Sequence, residues 1–324
     1  MSAPPSAPSS EPKHTYLPLV SCTVLSYNNA SIITDTLDSV LAQDYSNTEL
    51  LIIDDCSTDD SVAVIKHWIE AKEVNCRFVV HRENRGITYS VQEAVDRSRG
   101  EWLAMVGDDV WKPQRLNELI QRAAAEENLP ACVYSDCTVT DLKQQIIHPS
   151  YLASRGYDPH TGCEGFIFDI ILRGHNPIAA PAALFRKAAI NAVGGYDTEL
   201  TTEDRDMALR LTQRFPVAYV NRPLVNYRRH GNSVSRRGIT TAGHRDRLVM
   251  YAKVYGTATR VQQGYILKRL ISSFRALRQD QRSSSAYGEW MQRLRAHYPL
   301  GALYALLLTS KWSLPARLGL WLLR

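Results

Sequence analysis

The chain has 324 residues and only six cysteines, with no CxxC pair and no regular spacing among them. Cys22, Cys56, Cys76, Cys132, Cys137 and Cys163 stand singly, which excludes a disulfide framework and points to reduced thiols in a cytosolic compartment. Cys22 and Cys132 lie in apolar, strand-like runs and read as small core residues rather than ligands. No uninterrupted apolar span of about 20 residues is present to cross a bilayer. The most apolar stretch, YPLGALYALLLTSKWSLPARLGLWLLR, is broken by Lys311, Pro315 and Arg317. Residues 1–16, MSAPPSAPSSEPKHTY, lack the apolar centre of a secretion signal and read as a disordered leader, with folding expected from Leu17.

Acids are scarce near the end of the chain. From Arg236 to Arg324, 16 Lys or Arg face 3 acids, Asp246, Asp280 and Glu289, a surplus of +13 that leaves −8 for residues 1–235 within the overall +5. A basic tail favours anionic lipid or nucleic acid, whereas an acidic body repels nucleic acid except where a metal intervenes. Trp312 and Trp321 among cations suit the headgroup boundary of a membrane, and a helical pair packed on its own domain would show the same residues.

Between Leu17 and Asp136, strand and helix patterns alternate. Val20 to Leu25, Leu50 to Ile53, Phe78 to Val80, Glu101 to Val106 and Ala131 to Tyr134 read as strands. Between them, Ile33, Leu37, Val40 and Leu41 recur at helical spacing, as do Val62, Ile65 and Ile69, and then Leu116, Leu119, Ile120 and Ala123 behind Pro113. A further helix is expected around Thr88 to Arg97. Such alternation predicts an α/β fold with a mostly parallel sheet, and ligands in such sheets bind beyond the carboxyl ends of the strands. Residues 137–235 are less regular, with a helix expected over Phe166 to Leu172, a strand near Ala182 to Phe185 and a helix from Glu203 to Gln213. Beyond Arg236 the pattern is helical and basic.

Three acidic clusters sit at the ends of these elements: Asp54-Asp55, Asp108-Asp109 and Glu203-Asp204. Carboxylates are costly to hold together near buried strand ends, so their repetition points to the handling of cations, diphosphate or protons. Each cluster also has a plainer reading, as helix caps or as acids complementing a helix dipole. The loop SYNNAS has neither the glycines nor the lysine that a nucleotidyltransferase would need after its first strand.

The segments VSCTVLSYNN, LLIIDDCSTDDS, ENRGITYSVQEAVDRSRGEWLAMVGDDVWKPQRL, GGYDTELTTEDRDMALRL and VNYRRHGNSVS, in that order over residues 18–235, resemble the successive motifs of family 2 glycosyltransferases with the GT-A fold. The resemblance implies an inverting, metal-dependent enzyme that moves a sugar from a nucleoside diphosphate sugar to an acceptor hydroxyl. It divides the chain into a GT-A domain over residues 17–235, with a nucleotide-binding half (17–136) and an acceptor half (137–235), and a basic helical region over 236–324 that associates with a membrane or packs on the domain. Asp55 would accept the imide N–H of uracil or thymine, with Ser26, Tyr27 and Asn28 lining base and ribose and Arg85 pairing with phosphate oxygens. Asp54 would support the turn.

Within VGDD, Val106 stands where the family commonly has its first acid; Asp108 and Asp109 hold the later ones. With His230 they form the implied site for Mn2+ or Mg2+, which needs hard oxygen ligands. Asp204 would be the general base, positioned by Glu203. A base works best with its pKa near the working pH, a condition that burial and a neighbouring carboxylate favour. Gly195, Tyr196 and Asp197 would touch donor or acceptor. His175 matches a segment near the acceptor pocket and is given no role. Arg228, Arg229, Arg236 and Arg237 would hold the diphosphate or form a loop that closes over the donor. The implied setting is bacterial surface-polysaccharide or lipopolysaccharide synthesis with a glycan or lipid-linked acceptor, in the cytoplasm and on the inner face of the cytoplasmic membrane. The rival reading is a non-catalytic sugar-nucleotide or glycan-binding protein on the same fold, suggested by Val106 and by Gln92, a position often Asn in the family.

Overall fold

The structure, a computed structural model, describes residues 17–174, 176–229 and 240–279. His175, His230, Arg236, Arg237, the leader 1–16 and the tail 280–324 lie outside the described residues. Four strands form the parallel half of one twisted sheet: β1 (Val20–Ser26), β2 (Thr48–Asp54), β3 (Cys76–Val80) and β4 (Trp102–Val106), in the order β3-β2-β1-β4. Continuous apolar runs suit the inner strands, and β4 is buried at every position, whereas β3 lies at the edge of the sheet and is only partly buried. The register sets Ser26 beside Asp54 and Val24 between Ile52 and Val106, so the three carboxyl ends come level at one edge of the sheet.

Helices α1 (Ile33–Leu41), α2 (Ser61–Lys72), α3 (Ile87–Arg97) and α4 (Arg115–Ala124) follow the strands. In α4 the buried face includes Leu116, Leu119, Ile120 and Ala123, as their spacing predicts. Leu41 and Val62 depart from the expected faces: Leu41 is exposed, and α2 buries Trp68 beside Ile65. At the opposite edge of the sheet from the acidic ends, Glu49 takes hydrogen bonds from Ser21 Oγ (2.6 Å), Arg99 N (2.6 Å) and Arg99 Nε (2.7 Å), with Arg77 Nη2 at 3.0 Å. Burial works against its charge, and these donors outweigh it, holding the carboxyl down to about 2.

Beyond these four strands the sheet is mixed. β6 (Cys132–Thr140) is nine residues long and wholly buried, and β8 (Ala183–Arg186) runs antiparallel to both β4 and β6. β9 (Val217–Arg228) lies parallel to β6 and antiparallel to β5 (Val110–Trp111), while β7 (Ile146–His148) forms a short hairpin on β6. The polar letters of β6 concealed it as a core strand. Asp136, where the β6–β9 register shifts, has its carboxylate occupied by the amides of Cys137 (2.8 Å) and Leu152 (3.0 Å).

Short helices α5 (Tyr151–Ser154), α6 (Phe168–Leu172) and α7 (Lys187–Ala192) and a 3-10 turn at Ala180–Ala182 fill the connections, and α8 (Asp204–Arg214) packs against α6 and α7. α9 (Thr241–Tyr255) is fixed to α8 and its approach: Asp246 accepts from Thr201 N (2.8 Å) and Oγ1 (2.5 Å), and Lys253 pairs with Asp206 (2.9 Å) and Asp197 (2.6 Å). α10 (Arg260–Gln279) packs on α9 and α6. Among the described residues no helix is long and apolar enough to cross a membrane.

Candidate active site

The nucleotide side begins where β1 and β2 end. Ser26 Oγ donates to Asp54 Oδ2 (2.8 Å), and Asp54, fully buried, also accepts from Ser57 N (2.8 Å) and Ser57 Oγ (2.6 Å). Both oxygens of that carboxylate therefore work on the turn. Asn28, at φ +50°, donates its amide to Ser57 Oγ (2.9 Å) and accepts from Thr58 N (2.7 Å), which sews the loop after β1 to the loop after β2. Tyr27 is left half exposed above this seam.

Asp55 has a different set of partners. Its Oδ1 accepts from Arg85 N (2.8 Å) and its Oδ2 from Gly86 N (2.8 Å), so one carboxylate clamps the amides that open α3. His81 Nδ1 meets Oδ1 at 2.7 Å. A carboxylate offers about four acceptor positions, and three are taken. The Arg85 side chain is exposed, with its guanidinium 3.3 Å from the centroid of the Tyr89 ring.

Asp108 and Asp109 follow β4 through Gly107. Asp109 is buried; its Oδ1 accepts from Arg228 N (2.7 Å) and its carbonyl from Thr36 Oγ1 (3.0 Å). Burial, and then the charge of Asp108, push the Asp109 carboxyl well above the usual carboxylate range. This donor set suits a hard divalent cation, since two adjacent carboxylates in a site short of positive charge gain most from one. Among the described residues no group of three or more His, Cys, Asp or Glu is placed to hold a metal, so further donor atoms would have to come from the ligand or from outside the described residues. The Arg228 guanidinium is turned inward: Nη1 donates to the carbonyls of Ile32 (3.3 Å) and Asp108 (3.2 Å), and Nη2 pairs with Asp35. It braces the loop from below.

The third cluster starts α8. Glu203 precedes the first turn and Asp204 opens it, its Oδ1 accepting from Arg205 N (2.5 Å). Glu203 is half-buried and Asp204 exposed at the helix mouth. Burial, and then the charge of Asp204, raise the Glu203 carboxyl to about 7. Asp206 points elsewhere, held by Arg210 Nε (2.9 Å) and Lys253 (2.9 Å).

Before this helix the chain turns at Gly194 and Gly195, at φ +87° and +74°. At Gly195 the positive φ favours glycine, and a Cβ there would stand 2.7 Å from Gln92 Oε1, displacing that side chain. That same oxygen accepts from Tyr196 N (2.6 Å), so Gln92 ties the loop to α3. Tyr196 is buried, whereas Asp197 turns to Lys253 (2.6 Å).

One cavity of about 160 Å³ joins these parts. Asp109, Glu203 and Asp204 line it together with Gly107, Val106, Tyr196 and an apolar floor that includes Met105 and Met207. Asp108 is not among the lining residues, but Gly107 and Asp109 on either side of it are. The second and third acidic clusters, almost 100 positions apart in sequence, thus face one space. Ser26, Asn28, Asp55 and Arg85 gather at the neighbouring strand ends. His81 and Glu93 escaped the sequence reading of this side; a histidine directly after a strand, six residues ahead of a helix, was the available signal for the first of them.

Residues 21–191 match the family described as Glycosyl transferase family 2, and the chain belongs to that family. Its α/β architecture is the GT-A fold. The putative teichuronic acid biosynthesis glycosyltransferase TuaG of Bacillus subtilis (strain 168) is 34% identical over 105 residues, 32% of this chain and 41% of TuaG. The match therefore spans about two fifths of that relative. S. aureus TarS 1-349, solved in complex with UDP-GlcNAc, superimposes with a TM-score of 0.63 at 16% identity, covering 89% of this chain and 87% of that one. The mannosyltransferase PcManGT from Pyrobaculum calidifontis, solved with GDP-Man and Mn2+, gives a TM-score of 0.52 at 17% identity over 95% of this chain and 84% of its own.

Proposed function

We propose that this chain is an inverting, metal-dependent glycosyltransferase that moves a sugar from a UDP- or dTDP-type sugar to an acceptor hydroxyl in bacterial surface-polysaccharide or lipopolysaccharide synthesis. The observation that carries this reading is the single cavity shared by Asp109, Glu203 and Asp204. The solved relatives with UDP-GlcNAc and GDP-Man and the polysaccharide-pathway name of TuaG support it.

On this reading the fourth acceptor position of Asp55 takes the base imide N–H, Ser26, Tyr27 and Asn28 border base and ribose, and Arg85 reaches the phosphates. Asp204 accepts the proton of the acceptor hydroxyl as that oxygen bonds to the anomeric carbon. The bond from that carbon to the diphosphate oxygen breaks on the opposite face, and its electron pair leaves with the nucleoside diphosphate. Asp108 and Asp109, with His230, would hold Mn2+ or Mg2+, which supplies positive charge to the departing diphosphate. Glu203 tunes and places Asp204, and Gly195 and Tyr196 shape the sugar side. Asp197 orders that loop through Lys253.

The domain assignment follows from the same reading: residues 17–235 form the catalytic unit, and 236–324 a helical extension. The basic surplus of that extension suits an anionic inner membrane surface that carries a lipid-linked acceptor, with no nucleic acid involved. The full chain is expected to float with vesicles containing anionic lipid and to stay behind when residues 296–324 are removed; equal recovery of both forms rules the membrane contact out.

Incubating the protein with a panel of UDP-, dTDP- and GDP-sugars and Mn2+ or Mg2+ tests the activity itself. Release of free nucleoside diphosphate from one uridine or thymidine donor, lost on chelation with EDTA, is the expected result. Donor binding with no release from any member of the panel, with or without glycan acceptors, would instead leave a binding protein.

A further inference from the structure

Between Asp55 and α3 lies an arrangement that the reaction as described does not use. His81, directly after β3, is enclosed: 6% of its side chain is exposed. Its Nδ1 lies 2.7 Å from Asp55 Oδ1 and its Nε2 lies 2.6 Å from Glu93 Oε2. The His81 amide donates to the Asp54 carbonyl (2.9 Å), and Tyr89 presents its ring edge-on at a centroid distance of 5.6 Å. Glu93 is held in turn by Arg97 Nε (2.9 Å), one turn further along α3.

An ionised carboxylate only accepts hydrogen bonds, and a neutral imidazole carries one N–H. With carboxylates at under 3 Å on both sides, the neutral ring would set a lone pair against an oxygen. Both contacts are satisfied when both ring nitrogens carry protons. We propose that His81 is a positioning residue of the nucleotide site: as an imidazolium bridging Asp55 and Glu93, it locks the base-binding carboxylate to α3 and, through that carboxylate, fixes the Arg85–Gly86 loop. The inference rests on the donor reading given above and adds to it the device that aims Asp55.

Burial opposes the charge on the ring, and the hydrogen bonds to Asp55 and Glu93 outweigh it, so the imidazole is raised above its ordinary value of 6.5. The groups facing it are Asp55 from the β2 end, Glu93 and Tyr89 from α3, and, one contact further out, Arg97 and Arg85. Because the folded value is the higher one, the bridge is complete below 6.5 and is lost as pH rises through the folded value. The neutral ring then has one N–H for two carboxylates, and the bridge between Asp55 and Glu93 opens.

The test measures UDP affinity by calorimetry with Mn2+ between pH 6 and 8.5 for the wild-type chain and His81→Gln. The ratio of the two dissociation constants cancels the titration of UDP itself. At low pH the variant is expected to bind about fivefold more weakly, the effect of one hydrogen bond. The ratio should fall towards one as pH passes the His81 midpoint read from imidazole 15N shifts. Glu93→Gln, which keeps an acceptor for the ring and removes its charge, should move that midpoint and the affinity step together to lower pH. A ratio near one at every pH, or a constant ratio, overturns the inference while leaving the donor site intact. Absence of UDP or dTDP binding by the wild-type chain overturns the donor reading and this inference with it.

Discussion

Asp204→Asn lowers transfer at saturating donor and acceptor by about 10³-fold, within the range of a general base, and changes the UDP dissociation constant by less than about threefold. The amide keeps the shape at the mouth of α8 and can accept from Arg205 N, but it has no carboxylate to take the acceptor proton. Its neighbour gives the effect a pH signature. The Glu203 carboxyl, raised to about 7 by burial and then by Asp204, loses its proton near neutrality. The wild-type rate should therefore climb through that region, as Glu203 gains its negative charge beside the site of proton transfer. Glu203→Gln should remove that limb.

The same carboxyl makes a prediction about stability with the opposite sign. Its folded value lies above its ordinary 4.5, so between those pH values the folded chain holds a proton that the unfolded chain has released, and stability falls as pH rises. Glu203→Gln should therefore raise the melting temperature at pH 8 while impairing transfer. A variant that is both less stable and fully active would contradict the assignment. Unchanged transfer in Asp204→Asn would remove Asp204 from the role of general base.

The second large effect is expected at Asp108. Asp108→Ala should weaken Mn2+ binding in the presence of UDP by tenfold or more and lower transfer by at least about 10²-fold, as befits a lost ligand to the ion that neutralises the leaving group. Asp109→Asn is a separate case because its carboxyl already sits high: burial and the Asp108 charge favour its neutral form, and its Oδ1 caps Arg228 N at 2.7 Å. Removing its charge should leave the fold intact, with the Asn oxygen still accepting from that amide. Electron paramagnetic resonance of Mn2+ titrated into the UDP complex reads both variants; wild-type affinity in Asp108→Ala would remove this residue from the metal site.

The parallel half of the sheet was legible because a strand covered on both faces must be apolar throughout, as LLII and WLAMV are. The antiparallel half was not. β9 carries Asn221, Arg222 and Pro223 in its middle, exposed where the β6–β9 register shifts, and β6 carries a buried Ser135, bonded to the Asp136 carbonyl, and a buried Asp136 whose carboxylate accepts from Leu152 N, 16 residues on. Neither pattern alternates as a half-buried strand would. At the site, the acidic pairs could be read from sequence because they end elements, whereas the partners of Asp55 lie 26 to 31 residues away at His81, Arg85 and Gly86, joined to it only by the β2–β3 register. Arg228 resembled a diphosphate clamp in sequence; folded, its guanidinium is buried under the Asp108 carbonyl, where charge on Asp35 and carbonyl dipoles compensate it. Gln92 looked like a loss of function and proves to hold the Gly195–Tyr196 turn.

The central claim is that the metal-side carboxylates and the proposed base serve one reaction centre. A crystal structure with UDP and Mn2+, the ion located by its anomalous scattering, tests it most directly. The ion is expected between the diphosphate and Asp108–Asp109, with the Asp204 carboxylate facing the same cavity from the other side. Mn2+ and UDP bound away from that cavity, with Asp204 opening onto another surface, would contradict it.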